Sequence, residues 1–206
     1  MCGIYLTNKS IDLDYAKSHL ETIQFRGPDY SGFLKKNNLI FGHLRLSIID
    51  LDDRSNQPMI YDEYTIVYNG EIYNFQDIKS ELLSKGYVFD TTGDCEVLLK
   101  GYREWGSNIV SKINGMFAFA IYDSKKNKVF CARDRLGVKP FYYFWKDGKF
   151  EICSQLRPIS ENKQINEQAI SMYLDCTYIP SPYTIYQDVY KLSPGSILEI
   201  DLNNNT

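Results

Sequence analysis

The chain opens with MCGIYLT at residues 1–7, and the interpretation of the whole sequence starts from this stretch. Residues 2–7 are rich in β-branched and aromatic side chains, which predicts a strand that begins almost at the N-terminus. Cys2 would then lie at the end of that strand. From these seven residues alone, the simplest interpretation of Cys2 is a small buried hydrophobic residue, as most free cysteines are.

The composition is that of a globular chain rich in sheet. The chain has 206 residues, of which 44% are hydrophobic and 24% charged, and its formal net charge is −3. This balance offers no basic surface, so nucleic acid is not expected as a partner. Aromatic residues make up 15% of the chain, and because they favour pleated surfaces we expect more sheet than helix.

The cysteines and the N-terminus bear on the compartment. Five cysteines occur, with no C-x-x-C pair, so neither a disulfide framework nor a zinc site is predicted. No basic segment leads into an apolar run at the N-terminus, and no run approaches the ~18 apolar residues of a membrane span. We therefore expect a cytoplasmic chain with no metal and no contact with the membrane.

The first half of the sequence predicts strands around one helix. Apolar residues recur at helical spacing over residues 11–25, and strands are predicted at 33–36 and 39–49. The polar stretch DLDDRSNQP at 50–58 is typical of a surface loop. TIVYNG at 65–70 predicts a short strand that ends at Asn-Gly.

The second half predicts two helices and then an antiparallel meander. Residues 75–85 have helical periodicity, and a second helix is predicted to begin at or near Asp94, after a cluster of turn formers. Four apolar runs separated by short polar breaks between residues 116 and 154 are typical of a meander of strands.

The C-terminal part is predicted to be an appendage. We divide the chain into one domain over residues 2–160 and an appended helix and strand segment over 161–206. Asn166 is a candidate cap for the helix, and VYKL and SILEIDL are predicted to form a last strand pair around a Ser-Pro-Gly turn. Strands in two antiparallel groups with helices between them predict an α+β fold.

Six further motifs accompany MCGI, in a fixed order along nearly the whole chain. They are RGPD at 26–29, RLSI at 45–48, YNGEIYN at 68–74, DCE at 94–96, GMFAFA at 115–120 and RDRLGVKP at 133–140. Together they resemble the glutamine-hydrolysing domain of asparagine synthetases, a class II glutamine amidotransferase of the N-terminal-nucleophile hydrolase type. The resemblance implies a four-layer α/β/β/α sandwich of two antiparallel sheets.

The resemblance gives Cys2 a catalytic role, with a thioester to Cys2 as the intermediate in the hydrolysis of L-glutamine to glutamate and ammonia. Removal of Met1 would turn the nitrogen of Cys2 into a free α-amine with a pKa of roughly 7.7–8.0, close to about 8.5 for a thiol. Such an amine can accept the thiol proton. With Met1 retained, the same nitrogen is an amide and has no basicity.

Asn69 and Gly70 match the family's oxyanion hole. The resemblance implies that the Asn69 side-chain NH₂ and the Gly70 backbone N–H donate hydrogen bonds to the negative oxygen that forms during amide hydrolysis. In an anonymous sequence Asn-Gly is more typical of a type I′ hairpin turn. The residues that follow favour a helix start over a return strand.

The resemblance also implies a binding site for free glutamine. Arg45 is assigned to the α-carboxylate, and Asp94, with Glu71, to the α-ammonium. The slot for the side chain is assigned to Ile49 and its neighbours Leu46, Ser47 and Ile48. The alternatives are a surface arginine at position 45 and a plain helix cap at position 94.

Three residues near these motifs receive supporting interpretations. Arg26 and Gly27 are predicted to fix a loop over the site and not to contact the reacting atoms. His43 is a candidate general base by residue type. Because the family takes its base from Cys2 itself, we interpret His43 as a hydrogen-bonded histidine near a strand.

The family's second domain is not found in these 206 residues. That domain adenylates a carboxylate with ATP and Mg²⁺ through a Ser-Gly-Gly-x-Asp-Ser loop, which this sequence lacks. We therefore expect no cofactor in this chain, with ammonia passing to a separate synthetase domain or partner that amidates aspartate or another carboxylate. Exposed strands could also pair in a homodimer. The alternative function is a catalytically silent glutamine-binding or scaffolding module.

Overall fold

The computed structural model describes residues 1–159 and 164–204, which hold eleven strands and five α-helices. The strands are β1 Gly3–Thr7, β2 Tyr30–Lys36, β3 Leu39–Arg45, β4 Met59–Tyr61, β5 Tyr64–Ile72, β6 Gly115–Asp123, β7 Lys128–Arg133, β8 Tyr142–Lys146, β9 Lys149–Cys153, β10 Val189–Lys191 and β11 Ile197–Asp201. The helices are α1 Leu13–Glu21, α2 Phe75–Ser84, α3 Asp94–Trp105, α4 Ile109–Lys112 and α5 Glu167–Cys176.

The strands form two sheets in which every pairing is antiparallel. The first sheet has the order β10-β8-β9-β1-β3-β2, and the second has the order β11-β7-β6-β5-β4. β1 therefore lies in the middle of the first sheet, and β5 and β6 lie side by side in the second. The predicted α+β fold with two antiparallel sheets is confirmed.

Successive side chains of β1 face opposite sides of the first sheet, and their contacts show how the layers stack. Ile4 and Leu6 face the second sheet and pack in one apolar cluster with Val67 of β5. Tyr5 faces the other way and packs with Leu20 of α1. A third cluster joins α2 and α3 to the outer face of the second sheet. The order is thus helix, sheet, sheet, helices, which is the four-layer sandwich that the resemblance implied.

The predicted meander over residues 116–154 is wrong in its connectivity. β6 and β7 form a hairpin in the second sheet, whereas β8 and β9 form a hairpin in the first. The chain crosses between the sheets at Asp134, whose carboxylate accepts hydrogen bonds from the backbone N–H groups of Phe117, Leu136, Val138 and Lys139. A buried side chain therefore fixes a crossing that looks like a short polar turn in the sequence.

The predicted last strand pair is also wrong, because its two strands join different sheets. β10 pairs with β8 in the first sheet, and β11 pairs with β7 in the second. The helix in this region has its predicted cap, since Asn166 accepts a hydrogen bond from Ala169 N. The boundary proposed between residues 160 and 161 lies outside the described residues and stays a prediction.

The first helix is shorter than predicted. α1 begins after Asp12, whose side chain accepts a hydrogen bond from Tyr15 N, and ends at Glu21. Gln24–Arg26 then form a separate 3₁₀ turn that carries the chain to the start of β2. Within the described residues, no helix combines the length and the apolar character needed to cross a bilayer.

Candidate active site

A pocket opens where the start of β1, the segment after β3, the end of β5 and the start of α3 meet. Most of the residues predicted for the site line this one pocket: Cys2, Arg45, Leu46, Ile48, Ile49, Asn69, Gly70, Glu71 and Asp94. They come from both sheets and from one helix. The fold therefore brings together residues that are up to 92 positions apart in the sequence.

Cys2 reaches the pocket because it precedes the first residue of β1. Gly3 pairs with Leu44 of β3, which places Cys2 beside the segment that follows β3. Leu46 N donates to Cys2 Sγ at 3.5 Å. Burial raises the pKa of the thiol, while the Leu46 amide and the positive charges of the N-terminus, Arg45 and Arg26 act in the opposite direction. The thiol thus needs a base to become a nucleophile.

Arg26 and Gly27 hold the start of β1 from outside the pocket. Arg26 Nε donates to the Cys2 carbonyl oxygen at 2.9 Å, and Arg26 as a whole is 6% exposed. A Cβ at Gly27 would lie 2.3 Å from the Leu44 carbonyl, so only glycine allows this close approach. The role predicted for both residues, fixing a loop over the site, stays a prediction.

Asn69 and Gly70 lie within a strand. β5 continues through both residues to Ile72, and Asn69 pairs with Ala118 of β6. The hairpin-turn alternative is therefore wrong, and so is the prediction that the strand ends at Asn-Gly. Asn69 is 1% exposed, and its Nδ2 has no hydrogen-bond partner. A buried amide donor without a partner is rare in proteins, and this one lines the same pocket as Cys2.

The backbone N–H of Gly70 points to the edge of β5 opposite β6, where it is available to a ligand. On either side of it, Tyr68 N donates to Gln57 Oε1 at 2.6 Å and Ile72 N donates to Asp94 Oδ2 at 2.9 Å. Because alternate residues of an antiparallel strand direct their amides to the same edge, Gly70 N–H points that way too. A Cβ on Gly70 would lie 2.5 Å from the Met116 carbonyl oxygen, which excludes larger residues.

The guanidinium of Arg45 is buried but only partly satisfied. Its Nη1 donates to the Asp52 carbonyl oxygen at 3.0 Å and to Asn56 Oδ1 at 2.7 Å, and its Nη2 donates to the Asp50 carbonyl oxygen. Arginine carries five N–H donors. Nε–H and one N–H of Nη2 therefore have no acceptor among the described residues. The surface-arginine alternative is wrong, since Arg45 is 5% exposed.

Asp94 is the first residue of α3, as predicted, but it does not cap the helix. Gly93 occupies the cap position. The Asp94 carboxylate instead binds β5, where Oδ2 accepts hydrogen bonds from Tyr68 Oη at 2.6 Å and from Ile72 N at 2.9 Å. Burial raises the pKa of Asp94, and these two hydrogen bonds oppose the rise. The carboxylate is thus fixed beside Gly70 and Glu71.

The sequence matches the model of a known family, described as a glutamine amidotransferase domain, over residues 1–206. The chain belongs to this family. A protein of Methanocaldococcus jannaschii named putative asparagine synthetase [glutamine-hydrolyzing] 2 is 37% identical over 232 residues, which cover 98% of this chain and 44% of the relative. Asparagine synthetase [glutamine-hydrolyzing] 3 of Bacillus subtilis is 44% identical over 149 residues, covering 70% of this chain and 24% of the relative. The amidotransferase domain thus spans less than half the length of these relatives.

Solved structures agree with the fold. The glutamine phosphoribosylpyrophosphate amidotransferase of B. subtilis, in complex with ADP and GMP, matches with a TM-score of 0.72 at 16% identity, over 98% of this chain and 47% of that one. A structure described as the allosteric regulatory enzyme of purine biosynthesis matches with a TM-score of 0.71, also at 16% identity, over the same shares of the two chains. At this identity the likeness supports the N-terminal-nucleophile hydrolase fold of the amidotransferase domain.

Ser47 is the one member of the predicted slot that does not line the pocket of the amidotransferase domain. Its backbone N–H donates to Asp29 Oδ2 at 2.7 Å, which ties the segment after β3 to the RGPD motif. Its neighbours Leu46, Ile48 and Ile49 all line the pocket, and so does Glu71.

Several lining residues of the amidotransferase domain were not predicted. They are Met1, Ser55, Gln57, Tyr68, Gly93, Cys95, Met116 and Lys139. Tyr68, Cys95, Met116 and Lys139 lie inside motifs that the sequence had indicated, so their positions were a usable signal. Ser55 and Gln57 lie in the stretch 50–58, which has the polar composition of any surface loop.

His43 does not line the pocket of the amidotransferase domain. It is fully buried, and its Nε2 lies 3.1 Å from the Tyr68 carbonyl oxygen. Burial lowers its pKa to about 3, so the ring is neutral near pH 7. The structure therefore supports the interpretation of a buried histidine that is hydrogen-bonded to the backbone.

Proposed function

We propose that this amidotransferase domain hydrolyses the side-chain amide of L-glutamine to glutamate and ammonia, with Cys2 as the nucleophile after removal of Met1. The observation that carries the proposal is the Asn69 side chain, whose buried Nδ2 has no partner and which lines the same pocket as Cys2. Leaving a buried donor unpaired costs about 1–3 kcal/mol. An oxyanion in the pocket would recover that free energy at the step where charge develops.

The charges of the pocket match the ends of a free amino acid. The two unpaired N–H groups of Arg45 are the kind of donors that bind a carboxylate side by side. The carboxylates of Asp94 and Glu71 offer acceptors for an α-ammonium group. With glutamine bound at both charged groups, its side-chain amide would point toward Cys2.

The first half of the reaction forms a thioester. The free α-amine of Cys2 accepts the proton of its own thiol, and the sulfur attacks the carbonyl carbon of the glutamine side chain. The C–O double bond opens to an oxyanion, which accepts hydrogen bonds from Asn69 Nδ2 and Gly70 N. When the C–O double bond re-forms, the C–N bond breaks and the leaving nitrogen takes the proton from the amine. Ammonia and a glutamyl thioester result.

The second half hydrolyses the thioester. The α-amine, neutral again, accepts a proton from water as the water oxygen attacks the thioester carbonyl carbon. The same two donors stabilise the second oxyanion. The C–S bond then breaks, the sulfur receives the proton back, and glutamate leaves. All protons and bonds balance with water as the only co-reactant.

The relatives' names suggest the use of the ammonia. We propose that it passes to a synthetase domain or partner protein that amidates aspartate or another carboxylate with ATP and Mg²⁺, in the cytoplasm. Within the described residues, no group of three or more His, Cys, Asp or Glu could hold a metal ion. A homodimer through exposed strands stays a prediction.

The test is ammonia release from glutamine by the purified chain, with Cys2→Ala and the control Cys176→Ala. Cys176 is exposed at the end of α5 and tests for general effects of losing a thiol. We expect the original chain and Cys176→Ala to release ammonia and glutamate in equal amounts, and Cys2→Ala to lose about 10⁴-fold or more. Saturable glutamine binding without turnover by the original chain would support the silent module instead.

A further inference from the structure

Asp50 is a charged residue next to the pocket, in the stretch 50–58 that was predicted as a surface loop. Its backbone is left-handed, with φ of 52°, a conformation that aspartate tolerates better than most residues. This turn directs its carbonyl oxygen to the guanidinium of Arg45. The main chain of Asp50 is thus one of the acceptors that hold Arg45.

The carboxylate of Asp50 binds two other segments at the same time. Oδ2 accepts hydrogen bonds from Ser55 Oγ at 2.8 Å and from Thr92 N at 2.7 Å, and Oδ1 accepts one from Asp52 N at 3.2 Å. Ser55 and Asp52 belong to the loop around Arg45. Thr92 lies two residues before Asp94.

The two segments that Asp50 joins are in contact. A Cβ placed on Gly93 would lie 3.4 Å from Ser55 Oγ and 3.6 Å from the Asp50 Cβ. Partial burial opposes ionisation of Asp50, but the hydrogen bonds from Thr92, Ser55 and Asp52 outweigh it and lower its pKa to about 2. The carboxylate therefore stays charged, and the link stays intact, at any pH at which the domain would work.

We propose that Asp50 is a positioning residue that holds Arg45 and Asp94 at the separation which the α-carboxylate and α-ammonium of an L-amino acid require. Its carbonyl oxygen orients Arg45, and its carboxylate anchors the backbone that leads into Asp94. Asp50 itself does not line the pocket, so it acts through these two residues. This inference rests on the proposed function, because it assigns Arg45 and Asp94 to the substrate.

The test compares Asp50→Asn with the matched control Asp90→Asn. Asparagine keeps the left-handed backbone. It replaces one carboxylate oxygen with an NH₂ group, which cannot accept the hydrogen bonds that this oxygen receives. Asp90 is an exposed aspartate close to the same segment, so its replacement makes the same change of charge. We expect Asp50→Asn to raise the KM for glutamine about tenfold and to change kcat by less than about twofold. Asp90→Asn is expected to change neither.

Two additional readouts separate positioning from general damage. The rate at which iodoacetamide alkylates Cys2 is expected to stay the same in Asp50→Asn, because the thiol and its contacts are untouched. Asp50→Gly keeps the left-handed backbone and the carbonyl oxygen that accepts from Arg45, but it removes the carboxylate, and it is expected to raise KM about tenfold as well. If Asp50→Asn does not fold, Asp50→Gly decides the question, and an unchanged KM in the folded variant would overturn the inference.

Failure of this inference can be distinguished from failure of the proposed function. If the original chain does not hydrolyse glutamine, the proposed hydrolysis fails, and calorimetric titration with glutamine then replaces KM as the measurement. Weaker glutamine binding by Asp50→Asn would still support the inference. Normal hydrolysis by the original chain, together with an unchanged KM in Asp50→Asn, would overturn the inference alone.

Discussion

The two ends of the first strand are both polar and buried, but they are satisfied in different ways. Beyond the C-terminal end of β1, Lys9 Nζ lies 2.8 Å from Glu151 Oε2, and the Tyr5 hydroxyl, in the middle of the strand, donates to the other oxygen of Glu151. At the N-terminal end, next to Cys2, the pocket contains the Asn69 Nδ2 group, which has no partner. We call the paired residues Tyr5, Lys9 and Glu151 the closed end of the strand, and the pocket with the unpaired Asn69 donor the open end.

This difference separates residues that stabilise the fold from residues whose hydrogen-bonding groups are available to a ligand. A buried polar group with all its partners stabilises one arrangement of the chain, whereas a buried donor without a partner costs free energy until something binds. Burial and the neighbouring charge of Glu151 raise the pKa of Tyr5, so its hydroxyl stays protonated and continues to donate. Mutations at the two ends should therefore change different quantities.

The largest expected effect on stability is at the closed end. Glu151→Gln removes the charge that compensates Lys9, whose side chain is 4% exposed, and breaking such a buried pair costs about 3–5 kcal/mol. Urea unfolding measures the loss. The control Glu81→Gln breaks a pair with Lys112 in which both side chains are more than a third exposed, and it should cost less than about 1 kcal/mol. Equal losses in the two variants would remove the contrast between the ends of the strand.

The next effect is on catalysis at the open end. Asn69→Ala removes a donor that has no partner in the free chain, so the free energy of unfolding should stay the same or rise slightly. Because the donor is needed only when the oxyanion forms, kcat should fall by about 10²–10³-fold. The control Asn38→Ala removes an exposed amide between β2 and β3 and should alter neither quantity. A large loss of stability in Asn69→Ala, with kcat unchanged, would place Asn69 among the residues that hold the fold.

The smallest effect is a pH dependence of the free energy of unfolding. It arises at His43, which pairs with Ile4 and so lies between the two ends of β1. The pKa of His43 is about 3 in the folded chain and about 6.5 when unfolded. Between these values the unfolded chain binds a proton that the folded chain does not, so stability falls as the pH falls below about 6.5. The expected slope is about 1.4 kcal/mol per pH unit.

Urea unfolding at pH 6.5, 5.75 and 5.0 measures this slope, in a range above the titration of most carboxylates. His43→Gln should abolish the contribution, while His19→Gln, at a partly exposed histidine of α1, should keep it. An unchanged slope in His43→Gln would mean that another group takes up the proton.

The sequence was sufficient where the signal is local. The strand at residues 3–7, the helix over 75–84 and the start of α3 at Asp94 follow from periodicity and capping, which depend on a few neighbouring residues. The motifs that suggested the family also contain most residues of the pocket. Their meeting at one place could be expected from the resemblance, and the structure shows how the two sheets bring it about.

The sequence was insufficient where a distant side chain decides the local structure. Asn-Gly at 69–70 has the signature of a turn, but pairing with β6 keeps both residues in a strand. The carboxylate of Asp134 converts a short break into a crossing between sheets. The polar loop 50–58 surrounds the buried guanidinium of Arg45, because its carbonyl and side-chain oxygens accept the hydrogen bonds of that group. None of these contacts is indicated by the residues next to it in the sequence.

The most direct test of the central claim compares two forms of the same chain, one with Met1 removed and one with Met1 retained, each confirmed by its intact mass. In the first form the nitrogen of Cys2 is a basic amine, and in the second it is an amide. We predict that the form without Met1 releases ammonia from glutamine about 10²–10⁴ times faster than the form that keeps it. Equal rates in the two forms would contradict the account, because the base would then have to come from another group.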